Sequence, residues 1–304
     1  MTGYRDPSRA LRVFADGQET ASGCRLQLRG RETLSLYPDM FTLTIYDLSD
    51  SSRRLLMRSS FIEVRHLDAV IASGEIADVA LRTTDDGTQT TVTFGRGLSF
   101  WNSSVSLSVE GGRKASEILP MILSTAALPG YSVSSAAPSG STAAASSGSS
   151  SASYISASSN PILLSFRGKD VLYPRGQSFF CRAADAVSRV LRDCGSEAYL
   201  TDAGIAMVPS VSSSAPVTSA ESLDTASASV KTVTIGPDDL TDTPHEATGA
   251  VILPVILSGW SVGLAASVSV PGFVLSGLIR ERLIDADTAS GPWKCELLVE
   301  RSFI

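Results

Sequence analysis

The sequence is poor in residues that carry catalytic chemistry. Only two histidines occur among 304 residues, His66 and His245, and they fall on separate predicted units. The zinc-protease pattern HExxH, the dinucleotide pattern GxGxxG and the phosphate-loop pattern GxxxxGK[S/T] are absent. The abundant serines predict no nucleophile, because a nucleophile needs a base and an orienting group beside it. We therefore expect no catalytic, cofactor-binding or metal-binding residues, and no cofactor.

Charge is also scarce, at 18% of residues, while 43% are hydrophobic and the formal net charge is −6. No stretch has the excess of Lys and Arg that binding to phosphates requires, so direct sequence-specific nucleic-acid binding is not expected. The longest apolar run, Ala250 to Ile256, is interrupted by Pro254 and is too short to cross a membrane. The start of the chain has no apolar signal core, so we expect no secretion. Low charge with high hydrophobicity predicts much buried surface, buried subunit interfaces, or both.

The four cysteines, Cys24, Cys181, Cys194 and Cys295, include no CxxC pair. We place Cys181 and Cys194 on one predicted helix, too far apart along it to form a disulfide. Buried, reduced thiols are the simplest interpretation.

The chain is organised around residues 40 to 79. Phe41, Leu43 and Ile45 alternate with polar residues, which predicts a strand with one apolar face. Ser49 or Asp50 is expected to cap a single helical turn. Two further strands follow, at residues 61–66 and 70–79, with Gly74 as an expected bulge or bend in the second. This order of elements is typical of a small β-barrel with a helical plug.

These residues resemble the first barrel of bacteriophage baseplate hub proteins, the late-control D-type hubs of contractile tails and related injection systems. The resemblance rests on FTLTIYDLSDSSRRLL and the later SGEIADV, with Asp47 where the family commonly has Asn. The phrase RGQSFFCRAADAVSRVLRDCGSEAYLTDAGIAMVP is similar to the family's helix and the two strands after it. The closing strand, Trp293 to Leu297, resembles the W-x-C-x-L strand of its last barrel. An unrelated small β-barrel remains the alternative to this resemblance.

Outside the central stretch, alternation and turn residues predict further strands and two helices. Residues 11–13 and the turn Asp16-Gly17 open a hairpin, with Cys24 to Leu28 as its return strand. We expect a strand at 101–109, a short helix at 115–123 because Pro120 lies inside it, and a short hairpin of 161–166 with 170–173. A helix at 179–194 is expected to start at Ser178 and to bury Phe180, Val187 and Leu191.

The last third of the chain is predicted to be β. We expect strands at 198–200, 205–208, 233–235, 251–257, 265–270, 273–284 and 293–301, with 259–263 as a turn. Residues 132–160, dominated by Ser, Ala and Gly, cannot form a packed core and are expected to be an inserted loop, with a segment ordered only by a partner as the alternative. Residues 209–232, rich in Ser, Ala and Thr, are also expected to be a loop.

The predicted fold class is mainly β with a small α/β part: two β-barrel domains of tail-tube type linked by a helix-containing middle domain. We expect a first β-barrel hub domain at 1–105 and an α/β middle domain at 106–208, with a Ser-rich loop at 132–160. A Ser-rich linker or loop at 209–232 and a second β-barrel hub domain at 233–304 complete the division.

Several residues were weighed as candidate sites. His66 and His245 are interpreted as surface or barrel-edge residues rather than ligands. The acidic cluster of Asp238, Asp239 and Asp242 lacks a calcium-loop pattern, so a solvated turn is favoured. The remaining candidates, interpreted as carboxylates of a barrel wall or as turn residues rather than hydrolase or phosphate-binding groups, are Glu63, Asp68, Glu75, Gly95-Arg96-Gly97 and Gly111-Gly112.

The family resemblance implies a structural, non-enzymatic role. It implies a homotrimeric ring that joins the tail tube protein to the central spike protein, with other baseplate or tape-measure proteins nearby. The expected location is the tail baseplate of the virion, after assembly in the host cytoplasm. The alternatives are a tail-tip hydrolase of cell wall or polysaccharide and a carbohydrate-binding β-sandwich.

Overall fold

A computed structural model describes residues 9–21, 23–84, 87–126, 169–201, 204–209, 232–247 and 249–301. The predicted loop at 132–160, the predicted strand at 161–166 and most of the stretch at 209–232 lie outside these residues. Four α-helices occur in the described part of the chain: α1 Asp50–Arg58, α2 Leu98–Asn102, α3 Ala115–Thr125 and α4 Ala183–Asp193. None of these helices is long and apolar enough to span a membrane.

The protein is mainly β. The strands are β1 Leu11–Ala15, β2 Gln18–Glu19, β3 Leu26–Thr33, β4 Asp39–Tyr46, β5 Phe61–His66, β6 Ala69–Thr84, β7 Gly87–Arg96, β8 Ser104–Val109, β9 Arg113–Lys114, β10 Leu172–Tyr173, β11 Gln177–Arg182, β12 Ser196–Thr201, β13 Gly204–Pro209, β14 Thr232–Ile235, β15 His245–Ala247, β16 Ala250–Val255, β17 Ala265–Val270, β18 Phe273–Asp287 and β19 Trp293–Arg301.

Thirteen strands form one large sheet. Its main path runs β15-β16-β19-β18-β3-β4-β7-β6-β5-β1-β2, while β17 adds to β18 and carries β14. All of these pairings are antiparallel except that of β14 with β17. The two ends of the chain are therefore joined by direct pairing of β18 with β3.

The large sheet contains the same six-strand arrangement twice. The first unit is β3-β4-β7-β6-β5-β1 and the second unit is β15-β16-β19-β18-β17-β14. Strands that occupy the same position in the two units also follow one another in the same order along the chain. The chain thus places two units with the same strand order side by side. They differ at their outermost pair, since β1 is antiparallel to β5 whereas β14 is parallel to β17.

A bulge marks the equivalent point in both units. In β6 the pairing with β7 shifts between Ile76 and Asp78, and in β18 the pairing with β19 shifts between Ile279 and Glu281. Each bulge follows the same phrase, Ser-Gly-x-Ile, at residues 73–76 and 276–279. A Cβ on Gly74 would lie 2.5 Å from the Gly95 carbonyl, and one on Gly277 would lie 2.2 Å from the Glu300 oxygen. Glycine is therefore required at this point of each unit because the neighbouring backbone approaches closely.

Most of the predicted strands are confirmed, and alternation explains how they bury their side chains. In β4, Phe41, Leu43 and Ile45 are buried while Met40 and Thr42 face outward. Helix α1 is capped by the Ser49 hydroxyl, as expected, but it has nine residues rather than one turn. It contributes the fully buried Leu56 to the core of the large sheet. A second core forms around α3 and α4, which pack on each other and on β8, β11 and β12.

Three predictions about strand pairing are wrong. The return strand of the first hairpin is β2, while Leu26 and Leu28 lie in β3, which pairs with β4 and β18. Gly74 pairs with Ile62 and is not itself the bulge. The pairing of β6 shifts on either side of it, between Val70 and Ala72 and between Ile76 and Asp78, and the strand extends to Thr84. The strand expected at 101–109 begins only at 104, because residues 98–102 form α2. Alternation within one strand does not specify its partner, which explains the error in the first hairpin.

The predicted helix at 179–194 is wrong at its start. Residues 177–182 form β11, paired with β8, and α4 begins at Ala183. Phe179 is therefore buried and Phe180 is 72% exposed, while Val187 and Leu191 are buried as expected. Cys181 lies on the strand and Cys194 at the helix C-terminus, so the two do not share a helix. The extended backbone is favoured because β8 supplies a partner strand, which overrides a weak local helical preference.

Adjacent phenylalanines provide a test of this correction. We expect Phe179→Ala to lower the free energy of unfolding by about 3–5 kcal/mol, because a buried aromatic leaves a cavity. Phe180→Ala should change it by less than about 0.5 kcal/mol. Denaturant unfolding of both variants measures the difference. Equal losses, or a larger loss for Phe180→Ala, would restore the helical assignment.

The repeated glycine can be tested in the same way. Gly277→Ala forces a Cβ against the Glu300 backbone, so we expect a loss of about 1–3 kcal/mol of unfolding free energy. The matched control is Gly236→Ala, where the added Cβ meets only the Asp239 side chain at 3.8 Å. A Gly277→Ala variant as stable as the control in thermal unfolding would contradict the close approach.

Candidate functional site: a buried charged row between the two units

Four charged residues stand in line across the middle of the large sheet. The row runs Arg282 on β18, Glu32 on β3, Asp39 on β4 and Arg96 on β7. Arg282 lies opposite Glu32 in the strand register, and Asp39 lies opposite Arg96. The two carboxyls therefore lie in the centre of the row, with one guanidinium group at each end. The row crosses the junction between the first and second units.

Alternation in the strands puts these groups on the core face. Leu26 and Leu28 are buried on β3, and Glu32 continues the same face. Ile284 and Ala286 do the same on β18, where Arg282 follows in phase. Glu32 and Arg282 are 1% and 2% exposed. A charge buried to this degree is tolerated only when it is paired.

Glu32 is shared by two guanidinium groups. Arg96 Nη1 donates to Glu32 Oε1 at 2.7 Å. Arg282 Nε lies 2.9 Å from Glu32 Oε2, close enough for an ion pair but not aligned as a hydrogen bond. Replacing any one of the three would leave a buried charge with poor compensation, which is far more costly than the net value of the pair.

Arg282 also binds the backbone of both units. Its Nη2 donates to the Ile71 carbonyl of β6 at 2.6 Å, and its Nη1 donates to the Ser258 carbonyl after β16 at 3.3 Å. One side chain of the second unit is thus bonded to the first unit through Glu32 and Ile71. This makes Arg282 the central polar contact of the junction.

The Asp39 carboxyl changes its charge near neutral pH. Burial raises the pKa of its carboxyl to about 7, helped by the neighbouring Glu32 carboxylate and opposed by two hydrogen bonds from Thr33 and by Arg96. Thr33 donates from its backbone N–H at 2.8 Å and from its hydroxyl at 3.0 Å. A neutral Asp39 relieves the repulsion between the two central carboxyls.

The opposite face of the same junction carries ion pairs that are more exposed. Arg29 bonds Asp285 at 3.0 Å and Arg31 pairs with Glu281 at 2.6 Å, with both arginines mostly in solvent. Exposed pairs of this kind contribute little to stability. They specify the register of β3 against β18, since a shift by one residue would move every arginine to the core face.

A cavity of about 430 Å³ lies beside the row. It is lined by residues 69–73 at the start of β6, by 259–261, and by Arg96 and Arg282. Its functional side chains are two serines, two arginines and one tryptophan; within the described residues no carboxylate, imidazole or thiol lines it. The cavity therefore lacks a general base.

The turn at 259–263 has the serine-hydrolase pattern G-x-S-x-G and places Ser261 on the cavity wall. The pattern has mechanistic meaning at a strand-to-helix turn with a histidine in reach. Here the turn leads from β16 to another strand, β17. Its Gly263 N–H donates to the Ile279 carbonyl, which makes it a connection within the second unit.

Apart from Arg96, the candidate residues named from the sequence lie outside the charged row and make other contacts. His66 packs edge-on against Trp293, and His245 belongs to β15. Asp239 accepts a hydrogen bond from the Gly236 N–H within its own turn. Glu63 pairs with Arg65, and Glu75 accepts from Ser99 at the start of α2. Across the described ranges, no group of three or more His, Cys, Asp or Glu side chains is arranged to hold a metal ion.

Sequence analysis missed Glu32, Asp39 and Arg282 and treated Arg96 as a turn residue. A signal was present in two of the four cases. Glu32 and Arg282 each occupy the next in-phase position of an apolar face, where a charge predicts a buried partner. Their pairing across about 250 positions of sequence was not readable from either strand alone.

The fold is that of phage tail proteins. The chain aligns over 96% of its length with a tail protein from Neisseria meningitidis, at 12% identity and a TM-score of 0.54, covering 96% of that chain. It aligns over 96% with the 43 kDa tail protein of prophage MuSo2 from Shewanella oneidensis, at 10% identity and a TM-score of 0.57, covering 97% of that chain.

A third similar structure is an Escherichia coli component of the type VI secretion system, described as similar to the T4 bacteriophage tail proteins gp27 and gp5. The alignment covers 95% of this chain and 76% of the secretion-system protein, at 12% identity and a TM-score of 0.56. No family model and no curated protein sequence matches the chain. At this low identity the similarity establishes the fold, which agrees with the resemblance in the sequence.

The raised pKa of Asp39 predicts how stability depends on pH. Below about pH 4 the carboxyl is protonated in both states. Between pH 4 and 7 the unfolded chain loses this proton while the folded protein keeps it, so the unfolding free energy falls as pH rises. Asp39→Asn keeps an acceptor for Thr33 and cannot ionise, so its stability should exceed that of the parent by an amount that grows across this range, on the order of 2–4 kcal/mol by pH 8.

Urea unfolding at several pH values measures this difference. Asp242→Asn, which removes an exposed carboxylate, controls for the change in net charge. Parallel curves of stability against pH for the parent and Asp39→Asn would show that burial does not raise the Asp39 pKa.

Proposed function

We propose that this chain is a structural baseplate hub of a bacteriophage tail, which joins the tail tube to the central spike as a trimeric ring. In this proposal each six-strand unit closes as a β-barrel of tail-tube type. Three copies then present six similar barrels around one axis. Such a ring matches a sixfold tube on one side and a threefold spike on the other.

The observation that carries the proposal is the repeated unit. Two units with the same strand order are fused edge to edge through β18 and β3, with a buried ion pair across the junction. A chain that offers two similar but non-identical edges can close a ring by head-to-tail contacts. The fold similarity to tail proteins over almost the whole chain supports the same assignment.

A non-catalytic role is part of the proposal. Supporting it, the described lining of the cavity beside the row offers no general base, and Ser261 lies in a strand-to-strand turn. A tail-tip hydrolase is the competing function. In that case the cavity would be the active site and Ser261 its nucleophile.

The domain division and the partners are proposed with it. The barrels are assigned to residues 1–105 and 233–304, the α/β middle domain to 106–208 and a Ser-rich linker to 209–232. The partners are the tail tube protein, the spike protein and other baseplate or tape-measure proteins. The location is the baseplate of the virion tail.

Counting copies in assembled tails tests the proposal. We expect three copies per particle by quantitative mass measurement, and cryo-imaging with both units of each chain at one height. A single copy, or six copies in one ring, would contradict the hub assignment.

A peptidoglycan zymogram tests the competing function. We expect no clearing by the purified chain under conditions where a lysozyme standard clears. Clearing by the parent that is lost in Ser261→Ala would support the hydrolase instead.

A further inference from the structure

One strand of the first unit has an open edge. Strand β6 pairs with β5 only through residues 69–75, whereas it pairs with β7 from Glu75 to Thr84. Beyond the bulge, no strand of the described structure pairs with the other side of residues 78–83. Leu81 on this stretch is 47% exposed. Open edges of this length are normally covered or paired in a functional protein.

The hydrogen bonds identify which backbone groups are offered at this edge. Thr88 on β7 directs its carbonyl to the Asp47 N–H and its N–H to the Asp47 side chain, away from β6. Its register partner, Thr83, must then direct its own N–H and carbonyl away from β7. By alternation, Leu81 and Val79 do the same. Residues 79, 81 and 83 thus present a row of backbone donors and acceptors at the edge.

The equivalent stretch of the second unit is not open. Aligned at the bulge, Asp78 to Thr84 correspond to Glu281 to Asp287. In β18 these residues pair with β3, from Glu281 opposite Thr33 to Asp287 opposite Gln27. The flanking bonds, Leu34 N–H to Arg280 and Thr288 N–H to Leu26, show that the even-numbered residues of β18 bond to β3. Ile284 bonds outward in this way, and its equivalent is Leu81.

The strand equivalent to β3 is also known. In the first unit, β3 is the first strand and pairs with β4. In the second unit, β15 is the first strand and pairs with β16, so β15 is equivalent to β3. Strand β15 has β16 as its only partner in the described structure. The chain therefore carries both halves of a junction that it completes once internally, and the unused halves lie on different units.

We propose that β15 of a second copy pairs antiparallel with the open edge of β6, so that the contact between copies reproduces the β18–β3 junction within one copy. The proposal rests on the ring proposed above and identifies the strands that close it. The two edges differ, so the contact is head-to-tail and each copy contributes one of each. Pro244 and Glu246 discourage indiscriminate pairing of β15 in the free protein, as prolines and charges do at natural edges.

The equivalence also specifies the register. In the first unit, the register partners run from Gly30 to Phe41, then across β7 to Ile76, the isoleucine before the bulge. In the second unit, they run from Glu246 to Val251, then across β19 to Ile279, the equivalent isoleucine. Glu246 is therefore equivalent to Gly30. Since Gly30 pairs with Ile284, Glu246 of one copy faces Leu81 of the next. His245 then faces Arg82, as Arg29 faces Asp285 within the chain.

A cysteine pair at the proposed contact tests the register. Arg82→Cys with His245→Cys, in a Cys181→Ser background, should form disulfides between copies after mild oxidation of assembled rings. Non-reducing electrophoresis is expected to show species of up to three chains. Arg29→Cys with Asp285→Cys is the internal control, because it occupies the equivalent positions and should cross-link within one chain.

Mixing the two single-cysteine variants tests the direction of the contact. Head-to-tail pairing predicts cross-linked dimers only in the mixture and none in either variant alone. Dimers from one variant alone would overturn the proposal. A ring of three by mass measurement with no 82–245 cross-link, while the internal control cross-links, would overturn the proposal but leave the hub function standing. Failure to form any ring would overturn both.

A proline at the edge provides a second measurement. Leu81→Pro removes an outward N–H without breaking a bond to β7, so the folded copy should keep its thermal stability and lose the cross-link. Ala80→Pro is the matched control. The Ala80 N–H donates a hydrogen bond to β7, so the loss of this bond should destabilise the single copy. A Leu81→Pro variant that cross-links as the parent does would refute the pairing.

Discussion

The pairing of Arg282 with Glu32 is the interaction on which the large sheet depends. Hydrophobic burial by itself would still allow β18 to shift by two residues against β3, because such a shift keeps the apolar side chains on the core face. A buried carboxylate and guanidinium tolerate only the register in which they meet, since any other leaves an uncompensated charge in the core. The additional bonds from Arg282 to the Ile71 and Ser258 carbonyls extend this constraint to β6 and to the loop after β16. Specificity of the junction, rather than its strength, is what this row contributes.

The two units reach the same arrangement through backbone geometry rather than through similar side chains. The Ser-Gly-x-Ile phrase precedes the bulge in both, and in both the glycine lies where the adjacent strand leaves no room for a Cβ. A bulge bends its strand and increases the local twist. The same bend lets the long strand β18 pair with β17 before it and with β3 after it. That property allows β18 to belong to its own unit in its first half and to join the first unit in its second.

The outer face of the junction also carries paired charges. The outer face of the junction is covered by short ion pairs between β3 and β18, in which most of the arginines are exposed and each acid is a cross-strand neighbour. Asp287 is almost fully buried among these pairs, and although burial raises its pKa, the hydrogen bond from Arg25 leaves the pKa below its ordinary value. At this junction, charges are thus placed where they pair across strands.

Local pattern in the sequence determined most of the strands. Alternation of apolar and polar residues located β4, β5, β17 and β19 closely, because one face of each is buried whatever its partner. The Asp16-Gly17 turn was readable for the same local reason, as both residues adopt the positive φ values that a tight hairpin needs. The shortage of histidine and of catalytic patterns was readable from composition.

Only the tertiary structure decided the pairings between distant segments. Residues 177–182 are a strand because β8 is there to pair with them, and their own pattern allowed a helix. Glu32 and Arg282 carry no mark of each other in their local sequence. Each charge is tolerated in the core only because the fold places the other beside it, which offsets the cost of removing both from water. Sequence alternation therefore specified which face of each strand is buried, and the fold alone specified which strand lies beside it.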